Sequence, residues 1–500
     1  MIKFARSLLL AILLVLLCTV SPDASAQTPN TGWTEAKPIS LASEQGFYPT
    51  LVQDPSGVVH AFWSSSPTGQ EGALQAIVYA KYANGAWSQP ADVVMSPLNK
   101  NAQFPCAVVD KLGRLHLFWL APDSAPFGQL YHAWAPVQDA ASAQSWTAPI
   151  LLAQGIYRPA VALDSQGVLH LVYDAVLDNK GICYIASSDA GDTWSEATCI
   201  PTAYPVRDEE HEVRPRLAID SQDQLHVVWV LDDYSPESKL GYASRAVFYA
   251  HSTDRGQSWS EVLTVDEIDG RSPTYDPSTH QPDWGNVAVD KEDGVHIVWV
   301  GTPDMQRYHQ WSSDGGVTWS PREVAIPTGG YNQWQGIAVD SAGVLHLVWP
   351  DLRGIEHTFW TRAGGWAAPV LIPGDVGGPH YASAVVTAGN WLHVVFQSHG
   401  GGLKGDTPGL ILHAMYQTGA PYVAPQPVPT VLPPTQQEAT VVPETTRPAV
   451  PTHTPTLLPS PTVSGSVPVA GNSALPILAG VVPVLALVVG AVLLLARRRR

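Results

Sequence analysis

Two arginines, Arg158 and Arg214, and five aromatic residues, Tyr48, Phe104, Trp284, Trp334 and Tyr381, fall at one equivalent place in a unit that the chain repeats seven times. Aromatic faces stack on sugar rings or apolar groups, and a guanidinium pairs with a carboxylate or a sulfate. Brought to one mouth, the seven form a ligand-binding face suited to an acidic sugar. They could equally do no more than plug a channel. The run Asp208-Glu209-Glu210-His211-Glu212 bears on that choice. Its carboxylates could neutralise both arginines and leave the site to Trp284, Trp334 and Tyr381, or they could be a solvated face.

The unit that positions these residues is clearest from Gln335 to Trp349: a short apolar run, a turn carrying Asp340 and Gly343, then a second run rich in β-branched and aromatic residues. That is a two-stranded hairpin. Its His recurs at His60, His116, His170, His226, His296, His346 and His393, at intervals of 56, 54, 56, 70, 50 and 47. An aromatic residue follows three places later, from Trp63 to Phe396, and an Asp precedes by six, except for Thr387 in the last copy. Units of this length built of short strands indicate the blades of a β-propeller. One His per blade spreads the seven around a ring. A metal, which needs its ligands within ~2.1 Å, is not expected, and neither is any other cofactor.

Each unit adds two outer strands. Between them lie Ser187-Ser188-Asp189-Ala190-Gly191-Asp192-Thr193-Trp194, then Ser252 to Trp259 with Asp254 and Gly256, then Ser312 to Trp319 with Asp314 and Gly316. Asp caps backbone N–H groups, Gly takes the strained φ, and Trp plugs the blade. Trp87, Trp146 and Trp366 keep the end of the same pattern. The seventh unit lacks a fourth strand, and Gly32-Trp33-Thr34 begins the chain's body with no blade before it. Ring closure by that N-terminal strand leaves no open edge. The fold expected is all-β, a seven-bladed propeller over 27–417. Cys183 and Cys199 flank one turn symmetrically and should form a disulfide, with Cα atoms roughly 4.4–6.8 Å apart. Cys106 sits in an inner strand and reads as a small buried hydrophobe.

The three turns resemble the Asp box of sialidases and other Asp-box (BNR-repeat) propellers. The sialidase resemblance implies an exo-glycosidase, with an Arg triad holding a carboxylate, an Asp acid and a Tyr–Glu nucleophile pair. The family's Phe/Tyr-Arg-Ile-Pro motif survives only as Tyr157-Arg158-Pro159, in the third blade. Arg353 is the candidate for a third triad arginine. Sialidase domains have six blades where seven are counted here, and Asp boxes report fold rather than activity.

The ends of the chain place the body. Lys3 and Arg6, an apolar run from Leu8 to Leu17 and Ala24-Ser25-Ala26 read as a signal peptide over 1–26. Residues 418–473 are rich in Pro, Thr and Val and read as a disordered stalk, able to reach ~150 Å at ~3.1 Å per residue. Ala474 to Ala496 are 23 residues without a charge, a candidate transmembrane helix, and Arg497 to Arg500 form a cytoplasmic tail. The expected localisation is the cell membrane, single-pass, with the propeller extracellular. A net charge of −17 argues against nucleic acid as a partner. Three functions stay open: display of a face for a glycan or other ligand, an exo-acting glycoside hydrolase of sialidase type, or an adhesion or assembly scaffold.

Overall fold

The computed structural model describes residues 32–432, apart from 71, 125–126, 177–180, 203–208, 235–242, 268–280, 303–305, 328–333, 375–376 and 400–408. The signal peptide, the candidate membrane helix, the Arg tail and most of the stalk lie outside these residues. So does Asp208 of the acidic run. Among the described residues no helix is long and apolar enough to cross a membrane.

Seven antiparallel sheets follow one another along the chain. Their innermost strands are Glu44–Gln53, Gln103–Val109, Pro159–Leu163, Glu210–Ile219, Gln281–Val289, Gly336–Val339 and Pro379–Thr387. The seventh blade is completed by the N-terminal strand Lys37–Pro38, which pairs with Gly409–Gln417, and Trp33 bridges to Tyr416 in the same sheet. The ring therefore closes by joining the two ends of the body, and the closure expected from Trp33 is observed.

Trp63, Trp119, Trp229, Trp299 and Trp349, each three residues after a repeat His, are fully buried. Each removes a large apolar surface from water, and together they anchor the contacts between blades. Each His meets a partner in its own blade through Nδ1. Nδ1 meets a second His at 3.0 Å in His116–His132, His296–His309, His346–His357 and His393–His413. In blades one, three and four the partner is the hydroxyl of Tyr79, Tyr184 or Tyr249, at 2.7–2.8 Å. In blades one to six Nε2 faces the turn Asp, as in His116–Asp110 at 3.2 Å, and in blade seven it meets the Thr387 hydroxyl at 3.2 Å. Among the described residues no three His, Cys, Asp or Glu side chains converge as a metal site.

In the Asp boxes the carboxylate binds the residue four ahead. Asp189 accepts from Thr193 N at 2.8 Å and from its hydroxyl at 2.6 Å, and these bonds hold its pKa down at about 2. The Gly of each box lies against the preceding blade. A Cβ on Gly191, at φ +86°, would meet His132 Cε1 at 2.6 Å, and one on Gly256 or Gly316 would overlap Tyr184 or Tyr249.

The outer Trp residues do more than plug their own blades. Each caps the blade before it: Trp33 on His357, Trp87 on His413, Trp146 on Phe62, Trp194 on His132, Trp259 on Tyr184, Trp319 on Tyr249 and Trp366 on His309. All seven are edge-on, with centroids 4.9–6.1 Å apart. Edge-to-face is the orientation that ring quadrupoles favour. Cys183 and Cys199 are directly opposite in register and form a disulfide. Their Cα atoms are 3.9 Å apart, closer than the expected range.

Residues 418–432, expected from their composition to belong to a disordered stalk, are docked on the ring. They lie on the turns that join first to second strands. Thr418 N donates to Asn390 O at 2.8 Å and Gln426 N to Pro55 O at 2.7 Å. Proline content marks an extended chain, but an extended chain can still dock.

Candidate ligand-binding site

Five of the seven equivalent residues, Tyr48, Phe104, Arg214, Trp284 and Tyr381, have φ between +49° and +57°. Each sits at a register shift in its inner strand, between Phe47/Thr50, Gln103/Cys106, Val213/Arg216, Asp283/Asn286 and His380/Ser383. A left-handed non-Gly residue costs on the order of 1 kcal/mol, and bulges re-aim side chains next to functional sites. Five copies of one bulge, each six residues before the turn position of its hairpin, form a collar within the inner strands.

The aromatic members touch across the mouth. Tyr48 and Phe104 have centroids 3.9 Å apart, Tyr48 and Tyr381 4.9 Å, Trp334 and Tyr381 6.1 Å, and Trp284 stacks on Trp334 at 6.0 Å. Arg158 lies among them. Its guanidinium carbon is 3.2 Å from the Phe104 centroid, 4.6 Å from Tyr157 and 5.2 Å from Trp334. Arg158 is only 3% exposed, and its Nε and Nη1 have no hydrogen-bond partner among the described residues. Cation–π contact stabilises it, but a buried guanidinium still favours an oxygen acceptor.

Arg214 does not share that role. Its Nη2 donates to Asp232 at 2.6 Å, Asp283 at 2.8 Å and Ser244 Oγ at 3.0 Å. The expected pairing of Arg158 with Arg214 is corrected here: two carboxylates already neutralise Arg214. Those acids come from neighbouring strands and not from 208–212. Glu210 lies 3.7 Å from Arg245, and Glu212 accepts from Trp229 at 2.9 Å. Arg353 is exposed and paired with Asp351 and Glu356 in blade six, so it does not complete a triad at the mouth.

The second positive charge in the channel is Arg216. It is half-buried, and its guanidinium carbon is 3.8 Å from the Trp334 centroid. Burial, then the nearby charge of Arg158, pulls its pKa down to about 9, which leaves it charged at neutral pH. Among the described residues no carboxylate lies within salt-bridge distance of Arg158 or Arg216. Arg216 lies two residues past the collar position, beyond the bulge, and lines the cavity where Arg214 does not. The same step from Phe104 reaches Cys106. That thiol is half-buried on the channel wall, and burial pushes its pKa up to about 12. The two rows enclose a cavity of ≈ 280 Å³, lined among others by Tyr48, Phe104, Arg158, Arg216, Trp334 and Tyr381. That is at the small end for a ligand pocket.

Beneath the collar lies Asp174. Its carboxylate accepts from the backbone N–H groups of Tyr157 at 2.6 Å, Arg158 at 2.9 Å and Arg214 at 3.1 Å. It therefore fixes both arginines from below. Complete burial raises its pKa to about 7. Burial likewise raises Asp232, to about 6.

Residues 57–303 match the family described as a BNR repeat-like domain. No curated protein matches the chain. Among solved structures, an ulvan lyase bound to a GlcA-containing saccharide is 14% identical, with 75% of this chain and 95% of that chain covered, at a TM-score of 0.54. A protein of unknown function from Dyadobacter fermentans is 15% identical over 78% of this chain and 100% of its own, at 0.48. A variant of the NanB sialidase from Streptococcus pneumoniae is 14% identical over 76% of this chain and 71% of its own, at 0.42. At such identities the likeness is one of fold.

Proposed function

We propose that the body, a propeller that matches the BNR repeat-like family over residues 57–303, displays a pocket for the acidic end of a glycan at the cell surface. The observation that carries this reading is the state of Arg158: charged, almost wholly buried, stacked on Phe104, with two guanidinium nitrogens unpartnered. Arg216 adds a second charge beside the same Trp334. A carboxylate or sulfate entering between them would gain ~1.5–3 kcal/mol for each charge-assisted bond. The collar rings offer the faces on which a sugar stacks. The ulvan lyase that shares the fold holds a GlcA-containing saccharide, a ligand of this class. The leader, the Pro/Thr-rich tail and the terminal apolar run support an extracellular body held by a membrane anchor.

A hydrolase reading has one observation in its favour: Asp174 and Asp232 are acids with raised pKa values near the arginines. Both are fully buried and already bonded, Asp174 to three backbone N–H groups and Asp232 to Arg214 and Ser244, so display is the better-supported reading. Calorimetric titration with glucuronate, N-acetylneuraminate and neutral glucose tests it, with a fluorogenic sialoside assay alongside. Binding of an acid without turnover is expected. Equal binding of glucose, or no binding of any acid, would overturn the reading, and turnover of the sialoside would establish the hydrolase instead.

A further inference from the structure

Neighbouring inner turns hold one another directly around part of the ring. Ser165 donates from N and Oγ to the Asp223 carboxylate, 2.7 Å each, joining blades three and four. Ser221 does the same to Asp293, at 2.9 and 2.7 Å, joining four and five. Ser341 N donates to Gly389 O at 2.9 Å, joining six and seven. The Ser–Asp pairs use fixed places: the donor follows the turn Asp by one residue, and the acceptor follows it by three. From blade seven to blade one those places hold Ala388 and Gly57. From blade one to blade two they hold Pro55 and Gly113. None of the four side chains can donate or accept, and Pro55 lacks an N–H as well.

Residues 418–432 lie over these two gaps. Val423 N donates to Ala388 O at 2.9 Å, and Gln426 N to Pro55 O at 2.7 Å. Pro421 O accepts from Ser341 Oγ at 2.5 Å, and Val431 O from Gln138 Nε2 at 2.6 Å. Val428 packs on the core shared by blades one and two. The glycines provide the room. A Cβ on Gly57 would touch Pro425 Cγ at 3.5 Å, and one on Gly113 would overlap the Pro429 carbonyl. At the same place in blade three, a Cβ on Gly167 would meet nothing within 4 Å.

We propose that the turn face of blades seven, one and two is a docking surface for an extended Pro-rich strand, occupied in cis by residues 420–432, and that the docked strand clasps the ring at its seam. The seam is where the two ends of the body meet, in blade seven. A proline-rich strand keeps few N–H groups, and this one places two of them where the ring offers a free carbonyl. The N-terminal strand closes the ring at its rim and the C-terminal strand closes it at its turns.

The test uses the full chain. Gly113→Ala and Gly167→Ala carry the same backbone strain, at φ +86° and +89°, but only Gly113 lies under the strand. The thermal midpoint should fall further for Gly113→Ala, by about 2 °C or more. A protease site inserted after Gly419 then allows the strand to be cut from the folded ring. Cutting should lower the parent midpoint, abolish the difference between the two variants, and be reversed by an excess of a synthetic peptide of residues 420–432. Equal midpoints for the two variants in the intact chain would overturn the proposal. So would a parent midpoint unmoved by cutting and by the peptide.

Discussion

The guanidinium carbon of Arg216 lies 3.8 Å from the centroid of the Trp334 indole. That contact puts a positive charge on the wall of the cavity, two residues along the strand from Arg214, which is tied to Asp232 and Asp283. The two arginines should therefore behave oppositely on substitution. Arg214→Ala strands two buried carboxylates and should destabilise the fold by about 3–5 kcal/mol. Arg216→Ala breaks no ion pair and should cost less than about 1.5 kcal/mol. Urea unfolding measures both, and equal losses would contradict the assignment.

Asp174 should make binding of an acid pH-dependent. Its pKa is raised to about 7 by burial. Above that pH it is ionised and opposes an incoming anion; below it the repulsion is gone. Binding therefore takes up a proton, and affinity should fall, by up to about tenfold, as pH rises through 7. Asp174→Asn should flatten the profile measured from pH 6 to 8. A profile equally steep in the variant would assign the dependence to another group.

Gly316→Ala should be costly for a reason that lies in the neighbouring blade. The new Cβ would overlap the Tyr249 ring, at a residue already at φ +90°. Strain and overpacking together predict a loss of about 2–5 kcal/mol. Gly365→Ala, at φ +66° with nothing within 4 Å, should lose only about 1 kcal/mol. Equal losses by chemical denaturation would mean that backbone strain alone explains the Asp-box Gly.

The Cys183–Cys199 bridge spans 16 residues around one Asp box. In the chain-entropy view it contributes about 3 kcal/mol. A chain with both Cys replaced by Ser should unfold at correspondingly lower denaturant, and the parent treated with reductant should match it. A parent unaffected by reductant would contradict that contribution.

The ring could be read from the sequence because its signals are periodic. The His–Asp hairpin fixes the inner strands, the Asp boxes fix the outer turns, and Trp33 without a blade of its own implies closure. Periodicity also located the collar. It could not show which collar residues are occupied, because that depends on residues distant in the chain. Asp283 precedes Trp284 in blade five, yet it binds Arg214 of blade four. The bulges that shift the inner strands cannot be seen in composition. Nor can docking of residues 418–432, whose prolines suggest only extension. Pro55 and Ala388 carried the trace of it, as residues without a side-chain donor where blades three, four and six place Ser.

One titration decides whether the channel mouth is the ligand site. An acidic saccharide that binds the parent is titrated against Arg158→Ala, Arg216→Ala and the double variant, each checked for native circular dichroism. Each single change should weaken binding about tenfold or more, and the double variant should bind no better than it binds the neutral analogue. Parent-like affinity in the folded double variant would place the ligand elsewhere.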